Sequence, residues 1–408
     1  MSAEYGERKK DERRARRDAQ VELILSEFGD RVEMDPPAAA RGDVRHLFRR
    51  GILLVRDGYL DQVTDTLRER ARVQVEAPLV PGVTALRVEE GVVQTRDLVR
   101  RRLGEGIASL DYLVGICPGA GVYCPATEPE PVAPGAAPLP LSRDRDAGKG
   151  VRVVVIDTGL DPAAPASHPW LAGVTGDPDP AIGPGGALGP YAGHGTFVAG
   201  VLRRVAPAAE VIVRRVFTPV GAAFESDLVT ALDEALTDDA PDIISMSAGT
   251  YAFEPTGLLG LGSWYQNRLR HHKGVAVVVA AGNDGAREAF WPAAAPWTFS
   301  VGALNETLDG RAWFSNFGGW VDVYTPGENL VNAYPKGTYR YNEPPSRQDA
   351  KFDGMAAWSG TSFSTPIFAG LVAARMARTG ENGCTAARAL LSIAQQGALF
   401  GVGAVLLP

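Results

Sequence analysis

Four residues have the types that nucleophilic acyl chemistry requires, and each sits at the edge of an apolar run. Asp157 follows Val151–Ile156 in VVVIDTGLD, and Asn283 follows the run in VAVVVAAGNDG. His194 lies in GHGTFVAGVLRRV, ahead of Phe197, Val198, Val201 and Leu202 at helical spacing. Ser362 lies in WSGTSFSTPIFAGLVAARMA, at the start of a long apolar stretch. A serine alcohol becomes nucleophilic only when a base takes its proton, and the base works best when a carboxylate orients it. The tetrahedral intermediate then needs donors for its oxyanion, which an asparagine amide can supply. Singly, each residue has a structural explanation: a turn cap for Asp157, a helix cap for Ser362, a turn for Asn283, a buried ring for His194. The four together form a complete catalytic set.

The elements that must hold this set can be read from the surrounding pattern. Arg152–Ile156, Val211–Val216, Ile243–Met246 and Val275–Ala280 are short β-branched runs separated by segments with helical spacing. Such a pattern predicts an α/β fold, a parallel sheet with helices on both faces. Ligands bind beyond the carboxyl ends of the strands in that architecture, which is where Asp157 and Asn283 fall. The stretch after Ser362 is apolar nearly all round, predicting a buried helix with Pro366 in its first turn. A serine at that helix start lies near unpaired N–H groups and the positive end of the dipole.

The segments VVVIDTGLD, GHGTFVAG, AAGNDG and SGTSFSTP resemble the signature segments of the subtilisin-like serine peptidases, in the family's chain order. His194 follows Asp157 by 37 residues and Ser362 follows His194 by 168, spacings that suit the family. The resemblance covers about residues 150–380. It implies a serine endopeptidase acting on peptide or protein substrates, with Asp157 orienting, His194 as base and then acid, and Ser362 as nucleophile. Asn283 would share the oxyanion hole with the Ser362 backbone N–H. The segment Ser245–Gly249 (SMSAG) would carry substrate-binding residues Ser245, Ser247, Ala248 and Gly249, joined by Ala281 and Gly282 before the asparagine. His168, in Ser167-His168-Pro169, would be structural. Phe290 and Trp291 fall where relatives form the floor of the pocket for the residue before the scissile bond, suggesting small or modest apolar side chains there. A catalytically silent peptide-binding protein on the same fold is the alternative.

The remainder of the chain divides by composition. Residues 1–40 form a charged, then Pro/Ala-rich, flexible segment or solvated helix. Residues 41–124 read as a small α+β unit, with a strand at Gly51–Val55 and a helix at Tyr59–Arg72 presenting Leu60, Val63, Leu67 and Ala71. Further strands are expected at Val73–Val75 and Thr84–Val88, and a short helix at Leu98–Leu103. Residues 125–149, with six prolines, read as a linker. Residues 150–408 would be the catalytic domain, and Gly397–Pro408 a last buried strand or helix. By the resemblance, the 41–124 unit occupies the place of a propeptide, an intramolecular inhibitor or chaperone, with cleavage expected in the 125–149 linker. A permanently attached regulatory domain competes with that reading.

The net charge of −7 does not suggest a nucleic-acid or anionic-membrane partner. Three cysteines, Cys117, Cys124 and Cys384, argue against a disulfide framework and offer no zinc spacing, so no metal ligand is expected. One Cys117–Cys124 bridge stays open beside two idle loop thiols. The usual tight calcium loop after the histidine helix has no counterpart between Val205 and Val211, so no cofactor is expected and only weaker calcium binding stays open. The amino-terminal residues lack a secretion signal, giving a cytoplasmic expectation.

Overall fold

The computed structural model describes residues 18–35, 46–116, 126–341 and 348–408, apart from residues 69, 134, 139–141 and 273. From the amino end, a first group comprises α1 (residues 18–28), β1 (Val32–Asp35), β2 (His46–Arg56), α2 (Leu60–Leu67), β3 (Val73–Val80), β4 (Val83–Val88), α3 (Val92–Leu103) and β5 (Ala108–Gly115). β6 (Glu130–Pro131) lies in the proline-rich stretch. Then come β7 (Arg152–Asp157), α4 (Ala164–Ser167), β8 (Thr175–Gly176), β9 (Ala187–Leu188), α5 (His194–Val205), β10 (Glu210–Arg215), β11 (Ala222–Phe224) and α6 (Glu225–Glu234). The remainder is β12 (Ile243–Met246), α7 (Leu259–Asn267), β13 (Ala276–Ala280), β14 (Phe299–Leu304), β15 (Val323–Pro326), β16 (Leu330–Arg340), β17 (Asp349–Trp358), α8 (Thr361–Thr379) and α9 (Gly383–Gln396).

The β-branched runs assemble into a seven-stranded parallel sheet, in the order β15-β14-β13-β12-β7-β10-β8. Successive residues of β7 feed opposite faces: Val153 and Val155 enter one core with α5, α8 and α9, while Val154 and Ile156 enter the other with α6 and α7. Both faces are thus covered, as continuous apolar strands require, each fully buried valine or isoleucine contributing about 1.5–3 kcal/mol. The chain leaves β7 for β10 on one side and returns to β12 on the other. That reversal opens a crevice at the carboxyl ends of β7, β10 and β12, directly above Asp157.

The first group forms a second sheet, β11-β5-β2-β4-β3 with β1 on β2, completed by a strand from the larger body. β11 pairs antiparallel with β5, Phe224 opposite Leu113. One hydrophobic core continues from Leu53, Leu86 and Leu110 through Leu228 and Trp264 to Val154 and Ile244. Residues 18–28, expected to be solvated or flexible, instead bury Ile24 and Phe28 against Val220 and Phe224. α2 stops at Leu67, where Arg70 and Ala71 N–H groups both donate to the Leu67 carbonyl, so Ala71 lies beyond the helix. α3 starts at Val92, earlier than the apolar pattern indicated, because Arg96 is itself buried and paired with Glu254 and Asp97.

β16 and β17 form an antiparallel hairpin, with Tyr334, Tyr339, Phe352 and Trp358 buried beside α5. β6 adds to its edge, Pro131 opposite Ala356. The carboxyl-terminal run is neither a helix nor a buried strand: Leu399 N–H donates to Gly403, only Val405 bridges to Tyr324, and Phe400 is exposed. Apolar composition there was misleading because two glycines, Gly401 and Gly403, turn the chain back on itself. From α5 the chain reaches β10 through Ala206–Ala209 alone. Among the described residues no helix is long and apolar enough to cross a membrane.

The junction between the first group and the body is rich in buried carboxylates. Asp111 accepts from the Ser226 N–H (2.9 Å) and hydroxyl (2.7 Å), capping α6, and pairs with Arg49 at 2.9 Å. Glu225 accepts from Leu261 N–H in α7, and Glu254 accepts from the Tyr112 hydroxyl at 2.5 Å. Burial pushes the Asp111 carboxyl up to about 6, against the pull of Arg49 and Ser226. The native state therefore holds this proton more tightly than the unfolded chain does. Its contribution is present below the ordinary carboxylate range and is lost as pH rises through about 6. In a Ser362→Ala background, Asp111→Asn should gain thermal midpoint relative to its parent as pH goes from 4 to 8. A difference independent of pH would contradict the assignment.

Candidate active site

Asp157 ends β7 and is wholly buried. Its Oδ1 accepts from the Thr158 N–H at 2.8 Å and lies 2.7 Å from His194 Nδ1. A carboxylate only accepts, so Nδ1 carries the hydrogen and Nε2 presents its lone pair. That Nε2 is buried and makes no hydrogen bond among the described residues.

His194 opens α5, and the helix start is forced into place from below. Gly193 has φ +76, and a Cβ there would run into Pro335 of the hairpin. Its N–H donates to Asp179 Oδ2 at 2.7 Å, while Asp179 Oδ1 takes Ala181 N–H at 2.9 Å. Burial, with Asp157 nearby, raises the Asp179 carboxyl to about 6 against these two bonds. The imidazole is walled by Trp358, edge-on at 5.6 Å, and by Phe363 at 5.5 Å. Because Phe363 adjoins Ser362, the first turn of α8 is packed against the base.

Ser362 is the second residue of α8. Pro366 is not in the first turn as expected but inside the helix, four residues after the serine. It has no N–H to give the Ser362 carbonyl, the bond an uninterrupted α-helix would make. Ser247 Oγ supplies the replacement, donating to that carbonyl at 2.9 Å. The helix break thus ties the serine to the segment after β12.

Asn283 follows β13, and its Oδ1 accepts from both Thr361 N–H (2.8 Å) and Thr361 Oγ1 (2.9 Å). Thr361 Oγ1 in turn accepts from Gly282 N–H at 3.1 Å. With its oxygen fixed on the residue before the serine, the amide turns its Nδ2 edge the other way. Asn316 braces the same loop, accepting from Asp284 and Ala286 N–H groups and donating to the Ala281 carbonyl. Asn316 Nδ2 also lies 3.2 Å from the Tyr251 hydroxyl, which donates to Asp284.

The residues expected to bind substrate divide. Ser247, Ala248 and Gly249 follow β12, and Ala281 and Gly282 follow β13, with Ser247 and Gly282 bonded to the first turn of α8. Ser245 lies within β12, buried, and its hydroxyl makes no hydrogen bond among the described residues. Gly249 is already paired: its N–H donates to Gly115 O at 3.0 Å and its carbonyl accepts from Gly115 N–H at 3.1 Å. Ile116 N–H donates to Gly221 O at 2.8 Å. The end of the first group therefore lies as an extended strand between two segments of the body. Farther along, Ala126 is buried with Ala303, Ala312 and Phe314, and Thr127 O accepts from Trp358 Nε1 at 2.7 Å.

His168 stands apart, its ring 4.9 Å from Trp170, with burial lowering its affinity for a proton. Cys384 donates to Val275 O at 3.1 Å, and Cys117 and Cys124 lie outside the described residues. Among the described residues no three His, Cys, Asp or Glu side chains gather as a metal site. Asp179, Thr361 and Asn316 were missed in the sequence. Thr361 alone carried a signal there, as the residue before the serine in SGTSFSTP.

The subtilase family profile matches residues 148–395, well over half of the chain. Subtilisin NAT of Bacillus subtilis subsp. natto is 31% identical over 245 residues, covering 55% of this chain and 55% of that protein. The extracellular serine proteinase of Thermus sp. (strain Rt41A) is 33% identical over 232 residues, covering 55% and 50%. The chain spans about half the length of the curated relatives it matches. A cold-adapted subtilisin-like serine proteinase superposes with TM-score 0.51 at 25% identity, over 66% of this chain and 94% of that one. Fervidolysin from Fervidobacterium pennivorans shares the fold, with TM-score 0.58 at 20% identity over 88% of this chain and 60% of its own. With the sheet, the Asp157–His194 pair and the serine helix in the arrangement described, the chain belongs to the subtilase family.

Proposed function

We propose that this chain is a serine endopeptidase that hydrolyses peptide bonds through an acyl-enzyme on Ser362. The observation that carries the reading is the buried 2.7 Å Asp157–His194 pair, which leaves Nε2 as a base beside the first turn of α8. In this mechanism His194 Nε2 takes the Ser362 Oγ proton as the oxygen attacks the carbonyl carbon. Asp157 holds the ring and stabilises the imidazolium that forms. Charge on the carbonyl oxygen is met by Asn283 Nδ2 and the Ser362 N–H, each such donor being worth about 3–4 kcal/mol in comparable sites. The imidazolium then protonates the leaving amine, and water repeats the sequence to free the acid. These side chains carry every step, so the reading calls for no cofactor.

The first group of elements serves in this reading as an internal inhibitor. Gly115 and Ile116 add to the body by main-chain bonds, the way an extended peptide joins a sheet edge. Residues 127–131 are held on the β16–β17 hairpin, so the linker itself is a poor site for release. Self-cleavage is therefore expected between Ile116 and Ala126, at or before the start of the 125–149 linker in which the resemblance had placed it.

A fluorophosphonate probe should label purified, self-processed protein, and Ser362→Ala should abolish the label. An unlabelled wild type would overturn the peptidase reading. By intact-mass analysis, wild type should yield a body beginning between residues 117 and 126, while Ser362→Ala stays full length. Wild type cut only within 127–149, or Ser362→Ala processed identically, would contradict the inhibitory register.

A further inference from the structure

Ser247–Gly249 and Ala281–Asn283 leave the sheet side by side, since β12 and β13 are adjacent parallel strands. Both are fastened to the first turn of α8, one through Ser247 Oγ and the other through Thr361. By the family resemblance, a peptide carbonyl held at Ser362 and Asn283 sends its acyl-side side chain into the slot between these segments, toward the floor that Phe290 and Trp291 form. The two segments carry glycine, Gly249 and Gly282, at positions that face the Phe290 ring.

Here the slot is filled by a ring. A Cβ on Gly249 would run into Phe290 Cε1, and one on Gly282 would lie 3.0 Å from Phe290 Cδ1. Phe290 is 1% exposed, so the ring is enclosed rather than lying over the mouth. It is also held in place. Tyr251 packs edge-on at 5.2 Å, and its hydroxyl is fixed by Asp284 and Asn316. The following residue, Trp291, exchanges two 2.8 Å main-chain bonds with Thr250. Moving the ring aside would break this bracing or vacate a close-packed site.

We propose that Phe290 is the specificity-determining residue of this site and closes the slot to all but glycine, alanine and serine on the acyl side of the scissile bond. This narrows the small-to-modest apolar preference suggested by sequence, and it rests on the peptidase reading above. Rejection here is steric, and a difference of one methylene in such a pocket is worth roughly 10-fold or more in kcat/KM.

The test uses self-processed protein that labels with fluorophosphonate, and a set of internally quenched peptides differing only at the acyl-side residue. Cleavage positions are read by mass spectrometry. Glycine, alanine or serine should exceed leucine, phenylalanine and lysine by roughly 10-fold or more in kcat/KM. Phe290→Ala should raise phenylalanine and leucine turnover by a similar factor while small residues change far less. Phe290→Leu, a smaller loss of packing, should lie between and serves if the alanine variant does not fold. Wild type that labels yet cleaves after phenylalanine or leucine as well as after alanine would overturn this inference and leave the peptidase reading standing. Protein that neither labels nor cleaves would sink both.

Discussion

The Asp157–His194 hydrogen bond is the constraint on which the rest of the site depends. It lies at the end of a central strand with both side chains shielded from water, so its geometry is set by the sheet rather than by solvent. A buried carboxylate beside an imidazole is costly unless the two are paired, and breaking such a pair strands a charge. Several features far apart in the chain serve to keep it paired. Thr158 N–H adds a second bond to Oδ1, Asp179 holds the turn before α5, and the hairpin residue Pro335 forbids a side chain at Gly193. Trp358 and Phe363 then keep the ring from tilting.

The serine side of the site follows a different rule. Pro366 deprives the Ser362 carbonyl of its helical partner, and Ser247 fills the gap. Thr361 joins the same turn to Asn283 and Gly282. Ser362, Asn283 and the segments after β12 and β13 are therefore one hydrogen-bonded unit, and displacement of any member is felt by the others. Such preorganisation is what electrostatic catalysis requires, because the donors are in place before charge develops.

Much of this arrangement was legible in the sequence because the candidate residues flank apolar runs, and runs of valine and isoleucine announce strands. Asp157, His194, Asn283 and Ser362 could be named from their flanks, and the two-faced parallel sheet from the β-branched spacing. What escaped notice depends on long-range contacts. Asp179 and Asn316 look like ordinary loop residues until folding brings them against Gly193 and Asp284. β11 is a three-residue strand whose partner, β5, lies more than a hundred residues earlier, so no local pattern joins the two sheets. Arg96 and Asp111 obscured their elements for a related reason: a charged side chain reads as surface, and here Glu254 and Asp97, and Arg49 and Ser226, make burial tolerable.

In the proposed mechanism the paired His194 makes Ser362, and no other group, the attacking nucleophile. Acid-quenching the enzyme during turnover of an activated ester, followed by digestion and peptide mass mapping, observes that step directly. An acyl adduct is expected on the peptide containing Ser362, sharply reduced in Asp157→Asn. An adduct on a different residue, or one on Ser362 that accumulates equally fast in Asp157→Asn, would contradict it.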